Sequence, residues 1–118
     1  MDFGTIFGEL KRILVQHDKK LVCSSDDMEC YSLNTRHIMK NGKPLFFGSV
    51  QINKNYVSYH LMPVYVEPSL LVSVSVELRK HMHGKSCFNF KSIDAEQLSE
   101  IQELTQAGYH YYESKDYI

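Results

Sequence analysis

The chain has 118 residues, of which 13 are lysine or arginine and 14 are aspartate or glutamate, so its formal net charge is −1. This balance excludes the strongly basic surface of nucleic-acid-binding proteins and of polybasic membrane-surface modules. The 43% hydrophobic fraction excludes intrinsic disorder, and the length predicts a single domain over residues 1–118. Three cysteines are an odd number for a disulfide framework, and neither a signal-peptide pattern nor an apolar run of ~20 residues is found. We therefore expect a reduced, cytoplasmic protein.

Apolar residues at helical spacing predict an amphipathic helix at the start of the chain, with Asp2 as its N-cap. Two short strands are expected next, at residues 21–24 and 28–33, joined by a polar turn. A symmetric hairpin would place Cys23 opposite Cys30. Such a pair would form a disulfide, supply two metal ligands, or simply fill the core as two small apolar side chains.

The clearest strand signal is a hairpin with strands at residues 44–52 and 56–62 and a turn between them. In the first strand one face is predicted to hold Phe46, Gly48, Val50 and Ile52, and the other Phe47, Ser49 and Gln51. In the second strand one face is predicted to hold Val57, Tyr59 and Leu61, and the other Tyr56, Ser58, His60 and Met62.

Residues 70–82 favour one or two short helices that Gly84 ends, although the alternation of valine and serine in residues 72–76 also fits a strand. A strand follows at residues 86–90, with Cys87 on the face opposite its two phenylalanines.

Asp94 and Gln97 have the spacing of a capping box, which predicts a last helix that Gly108 interrupts. Hairpin-linked strands between two terminal helices predict an α+β fold with two layers. We expect a mostly antiparallel sheet of about five strands, with the N-terminal and C-terminal helices packed on one face.

Two short motifs are candidates for phosphate and metal binding. The segment Gly84-Lys85-Ser86 resembles the end of a phosphate-binding loop, but Arg79 stands where that pattern requires its first glycine. His81 and His83 lie on different faces of a helix and share a side only in an extended chain. Because no acidic residue adjoins them, we expect a solvated helix end rather than a metal site.

Nucleophilic catalysis would require Ser86 or Cys87 to lie within hydrogen-bond reach of a histidine, either His60 or His83. The spacing of these residues does not force them together, and there is no Gly-x-Ser-x-Gly elbow. We therefore expect a binding protein, with a small hydrolase as an alternative and no catalytic residue assigned.

A group of tyrosines and histidines is the strongest candidate for a binding surface, because such side chains combine an apolar body with a polar tip. Between residues 46 and 66 the only formal charge is Lys54. The alternative is that these rings pack between the sheet and the helices. The predicted partner is a small molecule, another protein or a second copy of the chain in a homodimer. The predicted ligand-binding residues are Tyr56, Tyr59, His60, Tyr65, Lys85, Ser86 and Cys87.

Four segments carry a family resemblance: GKPLFF at 42–47, YVSYHLMPVY at 56–65, MHGKSCFNF at 82–90 and LTQAG at 104–108. In their order and spacing they resemble the YdhG-like family of small bacterial domains of unknown function. The resemblance implies a two-layer α+β fold. Because some members are described as frataxin-like iron chaperones, it also implies bound iron. The candidate iron ligands here are Asp26, Asp27 and Glu29, the densest acidic group in the chain.

Overall fold

The computed structural model describes residues 2–118. Six antiparallel strands form one open sheet in the order β1-β2-β3-β4-β6-β5, with helices packed on one face. The predicted α+β fold is therefore confirmed, with six strands rather than about five. The strands are β1 Val22–Asp26, β2 Cys30–Ile38, β3 Pro44–Ile52, β4 Val57–Leu61, β5 Met82–His83 and β6 Cys87–Phe90, and the helices are α1 Phe3–Val15, α2 Met62–Val66, α3 Val76–Arg79 and α4 Ala95–Ser114.

Helix α1 begins and packs as its sequence predicts. The Asp2 carboxylate accepts a hydrogen bond of 2.7 Å from the Thr5 amide, which satisfies one of the free N–H groups at the helix start. The apolar stripe of the helix faces the sheet, and its buried members are Ile6, Phe7, Leu10, Ile13 and Leu14. Among residues 2–118, no helix is both long and apolar enough to cross a membrane.

The first hairpin does not pair its two cysteines, which corrects the expectation for Cys23 and Cys30. Cys23 lies opposite Leu33, because Asp26 already pairs with Tyr31 and the hairpin is therefore not centred on residues 25–28. Cys30 closes the turn, where its carbonyl accepts from the Asp27 amide, and it pairs with β3 instead. All three cysteines of the chain are free thiols.

A bulge in β3 reverses the predicted faces at the start of that strand. Leu33 of β2 lies opposite Gly48, but the next residue, Asn34, lies opposite Phe46, so Phe47 is the extra residue. Phe47 is therefore buried in the core beneath the helices. Phe46 points to the other face, where its ring lies edge-on to His60 at 6.3 Å.

Strand β4 alternates as predicted, with Val57, Tyr59 and Leu61 buried. The chain then enters α2, which the sequence did not predict. Residues 70–76 form neither a regular strand nor a continuous α-helix: a 3₁₀ helix covers Pro68–Ser73, and α3 follows after a short extended link.

Gly84 does not end a helix, which corrects its assignment. Strand β5 separates α3 from Gly84, and Gly84 forms the β5–β6 turn with φ of +73°, a conformation that glycine adopts without steric cost.

Helix α4 begins with the predicted capping box. The Asp94 carboxylate accepts from the Gln97 amide at 2.8 Å, and the Gln97 side-chain oxygen accepts from the Asp94 amide at 3.1 Å. The predicted interruption at Gly108 is wrong, because the helix continues to Ser114. Gly108 is buried against Pro63 of α2, so its missing side chain serves helix packing rather than a break.

His17 is predicted to make stability depend on pH. Its ring stacks on Tyr109 at 4.8 Å, and burial, followed by the nearby His110, lowers its pKa, while Glu113 opposes the shift. As the pH falls, His17 therefore takes up a proton in the unfolded chain before it does so in the folded protein. The contribution of neutral His17 to the free energy of unfolding is complete above pH 6.5. It is lost as the pH falls through the lower pKa of the folded state.

Urea unfolding of the wild type between pH 5 and pH 8 measures this loss. His17→Gln should flatten the dependence, whereas His83→Gln, at an exposed position of β5, should not. An unchanged slope in His17→Gln would contradict the assignment.

Candidate functional site

Tyr59 does not belong to a binding surface, which corrects its place among the predicted site residues. Its side chain is completely buried, and its hydroxyl lies 2.6 Å from the Thr105 hydroxyl oxygen. Thr105 donates its own proton to the Ile101 carbonyl at 2.7 Å, so Tyr59 is the donor of the pair. Burial raises the pKa of Tyr59. The residue joins the sheet to α4 and cannot contact a surface ligand.

The opposite face of the sheet brings together two histidines and a cysteine. Cys87 of β6 lies opposite His60 on β4 and opposite His83 on β5. Directly opposed residues on antiparallel strands project to the same face, so the three form a row, here called the His–Cys row. Sequence spacing could not reveal it, because β6 inserts between two strands that precede it in the chain.

The chemistry of the His–Cys row does not activate the thiol. Burial raises the pKa of Cys87, and its sulfur donates a 3.4 Å hydrogen bond to the Asn89 side-chain oxygen rather than to a histidine. Desolvation lowers the pKa of His60, so its imidazole is neutral near pH 7. A nucleophilic cysteine instead needs a depressed pKa or an adjacent base. Ser86, the other predicted nucleophile, accepts a hydrogen bond of 2.9 Å from the Leu61 amide through its backbone carbonyl.

Beside this row, where β4 begins and β6 ends, lies a cleft of about 510 Å³, here called the Tyr56 cleft. It contains one predicted site residue, Tyr56, together with His83 of the His–Cys row. The sequence reasoning missed Asn89 and Lys91, since only strand pairing brings them there. None of the lining residues is acidic. The lining consists of Asn55, Tyr56, His81, His83, Asn89, Lys91 and Ser92.

His81 forms a fixed wall of the Tyr56 cleft. Its Nδ1 lies 3.1 Å from the Asn89 carbonyl oxygen and its Nε2 lies 3.0 Å from the Gln97 side-chain nitrogen. Because a carbonyl only accepts, Nδ1 donates, and neutral Nε2 accepts from Gln97. The ring also packs on Phe90 at 4.8 Å. Both nitrogens are used internally, so His81 shapes the cleft and does not act as a ligand.

Tyr65 and Lys85 are brought together, but at a different pocket. The Lys85 ammonium lies 5.9 Å from the centroid of the Tyr65 ring, within range of a cation–π interaction. Lys85 also borders a pocket of about 390 Å³ whose other lining residues are Val64, Pro68, Leu71, Met82 and Gly84. The residues predicted to form one binding surface therefore lie in separate places. They are found near this pocket, in the His–Cys row and in the Tyr56 cleft, and Tyr59 lies in the core.

The acidic turn does not offer a set of iron ligands. Asp26 pairs with Lys11 at 2.8 Å, and the Asp27 carboxylate accepts from the amides of Glu29 and Cys30 at 2.8 and 2.9 Å. In the part of the chain that the structure describes, no three His, Cys, Asp or Glu side chains are grouped to hold a metal ion. Asp26 and Asp27 are thus engaged by groups of the chain itself, and iron binding at Asp26, Asp27 and Glu29 stays a prediction.

No family model matches the chain, and no curated protein or solved structure is significantly similar to it. The resemblance to the YdhG-like family therefore stays a prediction.

Proposed function

We propose that the protein is a non-enzymatic binding module that holds a small planar carboxylate in the Tyr56 cleft. The observation that carries this proposal is that Tyr56, Asn89 and Lys91 line one cleft whose lining includes no acidic residue. A few polar groups beside an aromatic ring are typical of small-molecule sites.

Charge supports an anionic ligand. Of the ion pairs formed among residues 2–118, none includes Lys91, so its charge is not neutralised by a carboxylate of the chain. His83 is exposed at the same cleft and can donate a further hydrogen bond. A carboxylate that meets a cation and neutral donors gains charge-assisted hydrogen bonds, which are the stronger kind.

Cys87 supports the same ligand through Asn89. Because the thiol donates to the side-chain oxygen of Asn89, the acceptor end of that amide is occupied. The amide nitrogen, a donor of two hydrogens, remains for a ligand. In this proposal Cys87 is a positioning residue, which accounts for a thiol with a raised pKa beside two histidines better than a hydrolase mechanism does.

Size and shape favour a small molecule. A volume of about 510 Å³ lies within the roughly 300–1,000 Å³ of known ligand clefts. The half-buried Tyr56 ring offers a flat apolar wall, which suits a planar ligand.

The proposal is tested by titrating the ¹⁵N-labelled protein with benzoate and following amide shifts by NMR. We expect saturable shifts centred on Tyr56, His83, Asn89 and Lys91. Lys91→Ala should weaken benzoate binding about tenfold, because a hydrogen bond to a charged group contributes about 1.5–3 kcal/mol. Lys80→Ala, at an exposed position outside the cleft, is the matched control and should bind like the wild type.

Benzylamine serves as the probe of opposite charge and should give no saturable shifts. Tighter binding of benzylamine than of benzoate would overturn the carboxylate assignment. Wild-type benzoate affinity in both Lys91→Ala and Tyr56→Ala would overturn the site itself.

A further inference from the structure

We propose that a second cleft, at the other end of the sheet, binds a small phosphate-bearing molecule such as a phosphomonoester or a diphosphate. This site, here called the basic cleft, has a volume of about 470 Å³. It shares no lining residue with the Tyr56 cleft and does not depend on the function proposed above. Its lining consists of Lys19, Lys20, Arg36, His37, Asp116, Tyr117 and Ile118.

Three cations converge on the basic cleft from two separate segments. Lys19 and Lys20 belong to the 3₁₀ turn Asp18–Lys20 that follows α1, and Arg36 lies near the end of β2. All three side chains are exposed. The fold thus brings together three positive charges that do not belong to one continuous basic segment of the sequence.

Within residues 2–118 these cations form no ion pair, unlike the basic residues of the neighbouring helix. On α1, Lys11 pairs with Asp26 at 2.8 Å and Arg12 pairs with Glu9 at 3.7 Å. None of the ion pairs within the described residues includes Lys19, Lys20 or Arg36, although Asp116 lines the same cleft. A concave site with an excess of positive charge concentrates ligands of negative charge.

The wall of the basic cleft is fixed by the way α4 ends. Asp116 adopts φ of +61°, and its amide bonds to the Glu113 carbonyl at 3.1 Å, while the Tyr117 amide bonds to the Tyr112 carbonyl at 2.9 Å. These two bonds form a Schellman motif, which turns the chain back across the helix end. The Tyr117 ring then packs on His37 at 4.7 Å.

The groups present select phosphate by charge and geometry. The Arg36 guanidinium is a planar fork that matches two phosphate oxygens, and the lysines add two point charges. Three cations beside one acidic side chain suit a ligand with two or more negative charges. The cleft volume of about 470 Å³ and the net charge of −1 favour a small molecule over a nucleic acid.

The inference is tested by isothermal titration calorimetry with pyrophosphate as the probe. We expect saturable binding to the wild type that weakens with added salt. Arg36→Gln and the double variant Lys19→Gln/Lys20→Gln should each weaken binding about tenfold or more. Lys43→Gln and Lys80→Gln remove exposed lysines that line neither cleft and should leave pyrophosphate affinity unchanged.

Asp116→Gly gives a test that misfolding cannot imitate. It removes the acidic side chain from the cleft while placing glycine at a position of positive φ, so it should bind pyrophosphate more tightly than the wild type, by roughly threefold or more.

Three results would overturn the inference: no saturable heat with pyrophosphate, unchanged affinity in Arg36→Gln, or loss of binding in either control variant, Lys43→Gln or Lys80→Gln. Tighter binding to a single-stranded oligonucleotide or to phosphatidylserine vesicles at equal phosphate concentration would overturn the choice of a small ligand. None of these results bears on benzoate binding at the Tyr56 cleft.

Discussion

Replacing Tyr59 with alanine is expected to lower the free energy of unfolding by about 3–5 kcal/mol, the range for truncating a large buried aromatic side chain. Tyr59 is completely buried on the helix-covered face of β4. The alanine variant would leave a cavity between the sheet and α4 and would also remove the donor of a buried hydrogen bond to Thr105. Urea unfolding monitored by circular dichroism measures the loss.

Two further variants separate the ring from the hydroxyl. Tyr59→Phe keeps the ring, so it should cost only about 1–2 kcal/mol, because Thr105 still donates to the Ile101 carbonyl and loses one incoming bond. Tyr56→Ala removes the same side chain from a half-buried position at a cleft and should cost less than half as much as Tyr59→Ala. Equal losses in Tyr56→Ala and Tyr59→Ala would contradict the assignment of Tyr59 to the core.

The contrast between these two tyrosines shows what local sequence patterns predict well. Alternation along residues 56–61 assigns Tyr59 to one face and Tyr56 and His60 to the other, and the structure agrees. The capping box at Asp94 is equally local, since its two hydrogen bonds span three residues. The predicted grouping of Tyr59 with Tyr56 on one surface is wrong, because the alternation places the two side chains on opposite faces.

Features that depend on neighbouring strands were not predictable in this way. The bulge at Phe47 reverses the faces of β3, and it is defined only by how β2 pairs with that strand. The sequence of β3 does not reveal this bulge, because Phe46 and Phe47 are the same residue type. Without the partner strand, either phenylalanine satisfies the apolar pattern.

Both candidate clefts depend on long-range topology as well. Lys91 and Tyr56 line the same cleft because β6 pairs with β4. His83 lines it as well because β5 pairs with the other edge of β6. Arg36 meets Lys19 because β2 runs beside the 3₁₀ turn after α1. Neither combination has a fixed spacing along the chain, so motif reading could not propose it.

Two glycine-to-alanine substitutions in helices are expected to change stability in opposite directions. Gly8 lies within α1, and a Cβ atom there would meet nothing within 4 Å. Gly8→Ala should therefore raise the free energy of unfolding by about 0.5–1 kcal/mol through helix propensity and a less flexible unfolded chain.

Alanine at position 108 would raise the helix propensity by the same amount, but the packing there leaves no room for its Cβ atom. An added Cβ would lie 2.8 Å from Cβ and 3.0 Å from Cγ of Pro63. A proline ring cannot rotate away, so α2 would have to move from α4. Overpacking of this kind costs typically about 1–3 kcal/mol, which exceeds the propensity gain. Gly108→Ala should therefore destabilise the protein, and Gly108→Val should destabilise it further.

These opposite effects are measured by thermal unfolding under one condition. The proteins compared are the wild type, Gly8→Ala, Gly108→Ala and Gly108→Val. Because Gly8→Ala makes the same chemical change in another helix, it isolates the contact with Pro63 from propensity. If Gly108→Ala were as stabilising as Gly8→Ala, α2 would not be held against α4 at this point. The absence of a side chain at residue 108 would then have no role in positioning the segment that leads from β4 to β5.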